Sequence, residues 1–342
     1  MKPTDIAAVD FFCGAGGLTN GLESEGFNVL AGIDNNPDCE FAYSYNNKST
    51  FIHSDITRIT SEAICKLFCG YETRMLCGCA PCQPFSSLTQ KDKNKELDPR
   101  WFLLYEFSRL VNQVTPELVL MENVPQLLNK EPFVDFIKNL KNHDYQISYK
   151  IFDCEKIGIP QKRKRLVLIA SRIGTIEFIN CTESKKTVFE TIGNLEPLSA
   201  GEQSQFDPLH RCQGMSEINL ERIKNSRPGG SWRDWPDDLV TNCHKKESGA
   251  SFCSAYSRME WFEPSPTITT QFFNYGSGRF GHPEQNRALS LREGALLQTF
   301  PPTYQFTETS RYSMEKIAKL IGNAVPVELA KHVSHIISDS LE

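Results

Sequence analysis

The sequence predicts an α/β fold: a doubly wound, mostly parallel sheet joined to a second, smaller domain of irregular structure. Three observations carry this. Short apolar runs rich in Val, Ile, Leu and Phe alternate with amphipathic stretches through the first half of the chain, the pattern of a parallel sheet with helices on its faces. A glycine-rich turn, Phe11-Phe12-Cys13-Gly14-Ala15-Gly16-Gly17, joins the first apolar run to the first amphipathic stretch. After about Ser171 the alternation dissolves, and residues 190–285 carry many Gly, Pro, Ser, Asn and Trp with few clean periods.

Taken in order, residues 6–12, 28–33, 75–79, 118–121 and 166–170 read as strands, because each is a short run of buried-type residues bounded by turn formers. Residues 18–25, 37–45, 61–68, 101–114 and 132–140 read as helices from their spacing of apolar positions. A third short apolar run ends at His53-Ser54-Asp55-Ile56. Regular helix returns at 291–298 and 313–340. In the last stretch Ile317, Leu320, Ile321, Leu329, Val333 and Ile336 form an apolar stripe, expected to pack back on the sheet domain. The domains expected are therefore 1–185 plus 305–342, carrying the sheet, and 186–304, carrying the irregular part.

The 342 residues suffice for one large domain and a smaller one. No apolar run reaches the length of a membrane span, and Met1-Lys2-Pro3-Thr4-Asp5 does not resemble a signal peptide. The 12 cysteines lack the spacing of a disulfide framework, so reduced thiols in a cytoplasmic compartment are expected. The net charge of −5 argues against a polyanionic partner, but its distribution does not. Residues 1–60 hold eight acids against three bases, which accounts for the whole deficit, while residues 210–246 hold seven bases against five acids. Polyanion binding follows the local field.

The chemistry-bearing residues cluster at strand ends. Glycines in the first strand–helix turn let the backbone approach a ligand and leave a helix N-terminus aimed at it. Asp34 follows Gly14 by 20 residues at the end of the next strand, where an acid can hold a ribose hydroxyl. An adenosine-type cofactor is expected there. Asp55 suits either an adenine amino group or the N-cap of a helix near Ser61.

Ala80-Pro81-Cys82-Gln83-Pro84-Phe85-Ser86 sets a cysteine between prolines just past a strand, on a stiff turn at the ligand-binding edge. With Cys77 and Cys79, and Cys65 and Cys69 upstream, a thiolate metal site is the alternative. No partner Cys or His pair follows at finger spacing, so no metal is expected. Glu122 ends the strand at 118–121; a carboxylate there is costly unless paired or used, and suits a group that shares a proton. Asn123 would otherwise cap the next helix. In Gln161-Lys162-Arg163-Lys164-Arg165 an extended backbone would put Arg163 and Arg165 on one face, converging on the edge beside Cys82 and Glu122. Read blandly, that run is a solvated basic face.

Six motifs in this order make the chain resemble the DNA (cytosine-5) methyltransferases, especially the bacterial enzymes of restriction-modification systems. They are Phe12-Cys13-Gly14-Ala15-Gly16-Gly17; Ala80-Pro81-Cys82-Gln83-Pro84-Phe85-Ser86; Glu122-Asn123-Val124; Gln161-x-Arg163-x-Arg165; Arg287-x-Leu289-Ser290-x-Arg292-Glu293 with Leu297-Gln298-Thr299-Phe300-Pro301; and Gly322-Asn323-Ala324-Val325-Pro326. Asp34 is a departure, since the family often has Glu there; it keeps the carboxylate.

The resemblance implies a Rossmann-like methyltransferase fold with a target-recognition domain. The methyl donor would be S-adenosylmethionine, leaving S-adenosylhomocysteine, and the acceptor a cytosine in double-stranded DNA. Cys82 would be the nucleophile, with Glu122, Arg163 and Arg165 serving it. Phe12, Gly14, Gly16, Asp34, Asp55, Ile56, Leu103, Asn323 and Val325 would hold the cofactor. Residues 87–100 would close over DNA. Ser86, Arg211, Arg227, Gly229, Gly230 and Arg233 are the candidates for DNA contact, with Pro228 and Trp232 beside them, although Trp232 and Trp235 would equally make a core. A monomer is implied, cytoplasmic and nucleoid-associated, with a cognate restriction endonuclease acting separately. The tRNA-modifying branch of the family is the rival reading. It carries Cys-Phe-Thr where this chain has Phe252-Cys253-Ser254 in another order. An inactive homologue would have lost Cys82 or Glu122, and an NAD-dependent oxidoreductase would not need them.

Overall fold

Residues 6–11 alternate no polar face at all: every side chain of β1 (Ile6–Phe11) is buried, as a strand covered on both faces requires. It sits in the middle of a seven-stranded sheet. The computed structural model describes residues 2–81, 99–178, 182–250, 254–308 and 312–341. Cys82, Ser86, most of the loop assigned to DNA closure and Phe252-Cys253 lie outside them.

The remaining strands are β2 (Asn28–Asp34), β3 (Thr50–His53), β4 (Thr73–Gly78), β5 (Leu118–Asn123), β6 (Gln146–Asp153), β7 (Gln161–Lys162), β8 (Lys164–Ser171) and β9 (Ser265–Pro266). The large sheet has the order β3-β2-β1-β4-β5-β8-β6. Pairing is parallel from β3 to β5, then antiparallel across β5–β8 and β8–β6. The helices between the parallel strands are α1 (Gly17–Ser24), α2 (Glu40–Asn46), α3 (Ser61–Leu67) and α4 (Leu103–Val114), and α5 (Glu131–Asn142) comes after β5. A mostly parallel, doubly wound sheet is thus present. Its least legible strand is β6, an edge strand in which Ser148, Tyr149 and Lys150 interrupt the apolar residues.

Two compact units divide the chain. The first is Met1–Cys154, Lys164–Thr182 and Val325–Glu342; the second is Glu155–Arg163 and Glu183–Ala324. The second unit holds α6 (Val188–Ile192), α7 (Glu217–Lys224), α8 (Glu247–Ala250), α9 (Leu291–Leu297), α10 (Met314–Asn323) and the two-stranded β7–β9 pair. One of its cores is aromatic: Trp232, Trp235 and Tyr275 are buried with Ile223 and Ala288. A buried Arg287–Glu293 ion pair at 2.7 Å anchors the loop before α9. That pairing holds the Glu293 carboxyl down at about 2 against the opposing pull of burial.

The stripe from Ile317 to Ile336 is not one helix. α10 ends at Asn323, Ala324 turns extended (ψ 151°), and α11 (Val327–Leu341) begins after Pro326. Proline lacks the N–H a continuing helix needs and biases the residue before it away from α geometry. Ile317, Leu320 and Ile321 therefore belong to the second unit. Leu329, Val333 and Ile336 belong to the first, where α11 packs on α1.

That packing depends on Gly21. A Cβ built there would run into the Ala330 Cβ and lie 2.7 Å from the Val327 carbonyl oxygen. Gly21→Val is expected to force α1 and α11 apart and cost about 2 kcal/mol or more. A lowered denaturation midpoint with an unchanged m-value checks this.

Candidate active site

β1, β2, β4 and β5 run parallel and deliver their carboxyl ends to one edge of the sheet. At β1 the chain leaves through Phe12, which has φ 58°, then Gly14 at φ 53° and Gly16 at φ 86°. Left-handed backbone costs a non-glycine residue of order 1 kcal/mol, so Phe12 is held there by its surroundings. Gly16 caps α1. The Asp34 carboxylate at the end of β2 explains the turn's shape. Its Oδ2 accepts from the Gly14 N–H at 2.9 Å and its Oδ1 from the Asn36 N–H at 2.8 Å. Burial raises the Asp34 pKa against the pull of those donors. A Cβ placed on Gly14 would meet nothing within 4 Å among the described residues, so the turn presents open backbone on that side.

Phe12, Ile56 and Leu103 share one apolar cluster with Phe11, Ile33, Leu104 and Phe107. Asp55 takes the capping role for a shorter element than the sequence suggested. It accepts from the Thr57 N–H at 2.9 Å at the head of a single 3-10 turn, Ile56–Arg58, and Thr60 caps α3 instead. Those hydrogen bonds from Thr57 hold its carboxyl below the usual range. Arg109, which the sequence did not single out, pins this segment to α4. Its Nη2 donates to the Ile56 and Ile59 carbonyls, both at 3.1 Å. The residue set fits an adenosine-bearing cofactor: partly buried apolar side chains in Phe12 and Leu103, a carboxylate on a strand end and open backbone at Gly14.

The second cluster lies at the end of β5. β8 runs opposite to β5, with Glu122 registered on Val167, so the start of β8 reaches the edge where β5 ends. Arg165 Nε stands 2.8 Å from Glu122 Oε1, and both side chains are largely buried. Next to Glu122, the Asn123 Nδ2 donates to the Ala80 carbonyl at 3.0 Å and its Oδ1 accepts from the Val124 N–H at 2.9 Å. Asn123 thus clamps the backbone two residues before Cys82, a task beyond the capping role its sequence position suggests.

Cys13, Cys77 and Cys79 are free thiols, and no group of metal-binding side chains occurs among the described residues. Cys77 donates to the Val9 carbonyl at 3.4 Å inside the sheet, and burial drives its pKa well up. Burial does the same to Cys79, reinforced by the neighbouring Glu122 charge. Burial thus disfavours the thiolate at both.

Arg163 is buried and bonded within the second unit. Its Nη1 donates to Gln161 Oε1 at 3.3 Å and to the Ile268 carbonyl at 3.2 Å, and its Nη2 to the Ala324 carbonyl at 3.4 Å. The basic run is not one strand. Gln161–Lys162 pairs with β9 while Lys164–Ser171 joins the large sheet, so the alternation resets at Arg163. Asn323 ends α10 and is exposed; Val325 is buried in the link to α11.

In the second unit, Arg227, Pro228 and Gly229 are exposed on a turn closed by the Gly230 N–H donating to the Arg227 carbonyl at 2.8 Å, and Arg233 is exposed on the 3-10 turn Trp232–Asp234 that follows. Arg227 pairs with Asp234 at 3.3 Å. The Arg233 guanidinium lies over the Trp232 ring at 5.4 Å, and His244 stacks on that ring at 4.5 Å. Trp232 and Trp235 are core, the simpler of the two expectations for them. Arg211 is half-buried and donates to the Tyr312 carbonyl at 2.9 Å.

The family model for the C-5 cytosine-specific DNA methylases matches residues 6–339. This chain therefore belongs to that family and is a DNA (cytosine-5-)-methyltransferase. It is 46% identical over 342 residues to the Type II methylase M.HgiDII of Herpetosiphon aurantiacus, covering 98% of this chain and 96% of that protein. It is 30% identical to the Type II methyltransferase M.Eco47II of Escherichia coli, covering 96% and 79%. Among solved structures, the Entamoeba histolytica methyltransferase EhMeth shares the fold, with a TM-score of 0.71 at 17% identity over 98% of this chain and 99% of that one.

One buried group beneath the glycine turn sets a pH dependence. Asp10 accepts from Thr19 Oγ1 at 2.7 Å, and burial pushes its carboxyl from an ordinary 3.8 up to about 7. Between those values the folded protein keeps a proton that the unfolded chain has released. Stability should therefore fall as pH rises through this window, by up to ~4 kcal/mol over about three pH units. Asp10→Asn is expected to remove that slope; denaturant unfolding of both proteins across the window, from the acid end to neutrality, measures it.

Proposed function

We propose that this protein transfers a methyl group from S-adenosylmethionine to carbon 5 of a cytosine flipped out of a specific duplex sequence, through a covalent bond between Cys82 and carbon 6. The observation that carries the reading is the Glu122–Arg165 pair at the end of β5, beside the Ala80 backbone that Asn123 clamps ahead of Cys82. A carboxylate and a guanidinium fixed together can address the two parts of cytosine's polar edge. Glu122 would hold N3 and the 4-amino group, and Arg165 the carbonyl.

Carbon 5 of cytosine is a weak nucleophile. Addition of the Cys82 thiolate forms a sulfur–carbon 6 bond and moves the ring's π electrons to carbon 5. Carbon 5 then takes the methyl group, which the cofactor supplies on a sulfonium sulfur. Loss of the carbon 5 proton to a base restores the double bond and expels Cys82. Glu122 steadies the proton at N3 through addition and elimination. Asp34, Phe12, Ile56, Leu103, Asn323 and Val325 would hold the donor, with Gly14 and Gly16 giving it backbone. Extruding the base costs a few kcal/mol, to be met by DNA contacts.

Those contacts we place on Arg227 and Arg233, with the exposed Gly229 between them and Arg211 in support; Gly230 is buried, leaving room for the Asp234 and Arg227 side chains. Arg233 is already oriented by Trp232. The Type II names of the relatives suggest a protective role beside a separate restriction endonuclease.

Cys82→Ala is expected to abolish methylation while DNA binding survives; activity in that variant would sink the covalent route. Duplex DNA with 5-fluorocytosine at the target should become attached at Cys82, since fluorine cannot leave as the proton does, and mass spectrometry of the adduct reads this directly. Arg227→Ala and Arg233→Ala should each weaken DNA binding. A phosphate contact lowers the salt slope by about one, whereas a base contact costs about 1–3 kcal/mol and relaxes the sequence preference at one position.

A further inference from the structure

Two buried glutamine side chains in the second unit form a clasp that the reaction itself does not use. Gln298 and Gln161 are both wholly buried. Gln298 Nε2 donates to the Ile321 carbonyl at 2.8 Å and to the Ala324 carbonyl at 3.2 Å. Its Oε1 accepts from Gln161 Nε2 at 2.9 Å, and the same Gln161 nitrogen donates to the Leu297 carbonyl at 3.1 Å. Gln161 Oε1 in turn accepts from the Ile268 N–H at 2.9 Å and from Arg163. Both amides are thus engaged at nitrogen and oxygen alike. Such complete satisfaction of buried amides fixes one geometry, because any displacement strands a polar group without a partner.

What the clasp grips is the end of α10. Ile321 lies in the last turn of that helix, where its carbonyl also takes a 3.3 Å bond from the capping Ala324 N–H. Ala324 is the extended residue after Asn323, and its carbonyl takes bonds from both Gln298 and Arg163. We infer that Gln298 is a positioning residue for the methyl donor: by holding the Ile321 and Ala324 carbonyls it sets the backbone carrying Asn323 and leading into Val325. This rests on the proposed function, in which Asn323 and Val325 contact the cofactor.

Gln298→Glu and Gln298→Met test it. Glutamate keeps an acceptor for Gln161 but turns the donating nitrogen into an oxygen facing two carbonyls; methionine removes both functions at similar volume. S-adenosylhomocysteine and S-adenosylmethionine affinities are measured by calorimetry on the full chain, alongside KM, kcat and thermal midpoint, with Asn323→Ala as the reference. The expected result for both variants is an affinity at least about ten-fold weaker and a KM for the donor raised likewise, with kcat at saturating donor changed far less. In Gln298→Glu alone the affinity should recover as pH falls and the carboxyl regains a donating proton, relative to wild type at the same pH. A purely structural role would lower the thermal midpoint and the active fraction without moving KM or producing that pH profile. If the Gln298→Glu variant fails to fold, the Gln298→Met affinity and KM decide alone. Unchanged donor affinity in a folded variant while Asn323→Ala weakens binding overturns the inference and leaves the reading of Asn323 standing. Unchanged affinity in all three overturns both.

Discussion

The antiparallel entry of β8 beside β5 is the constraint on which the candidate site depends. In a parallel sheet every strand brings its carboxyl end to the same edge, and each side chain there must come from a strand's end or from the loop after it. β8 runs the other way, so a residue at its beginning reaches that edge. Arg165 meets Glu122 on this account. The pairing also relieves an electrostatic problem: a carboxylate at the end of a strand whose residues are all buried would be expensive alone. The guanidinium compensates for that cost and fixes where both groups point. Asn123, one residue on, ties the Ala80 backbone to the same strand end.

Most of this was legible wherever a local rule was strong. Strands β1, β2, β4, β5 and β8 announced themselves as apolar runs, because strands covered on both faces hold few polar residues, such as Asp10 and Glu122, and those mostly near their ends. The glycine turn was legible because Gly14 and Gly16 do adopt left-handed backbone. Asp34 was found by its spacing, though half its task, shaping the turn through the Gly14 N–H, was not visible.

What stayed hidden depends on distance along the chain or on a change of partner. The pairing of Gln161 with Gln298 spans 137 positions and leaves no local signature. Arg163 and Arg165 look alike in sequence, yet the backbone changes sheets between them. The apolar stripe through α10 and α11 continues in phase across Pro326, so periodicity alone joined what the proline parts. β6 escaped notice because an edge strand tolerates polar residues on both sides.

The second unit is not a simple insert. Glu155–Arg163 is threaded into it from the middle of the chain and brings Gln161, whose partner Gln298 arrives only much later. A chimera made by exchanging only residues after Thr182 would keep one half of a matched pair and import a stranger for the other. Exchanges of that unit should therefore travel with their own 155–163 segment, or retain glutamine at both places. Modularity here is a property of separate stretches of chain moving together, and the junctions that matter are fixed by two amide groups rather than by the visible boundary of a domain.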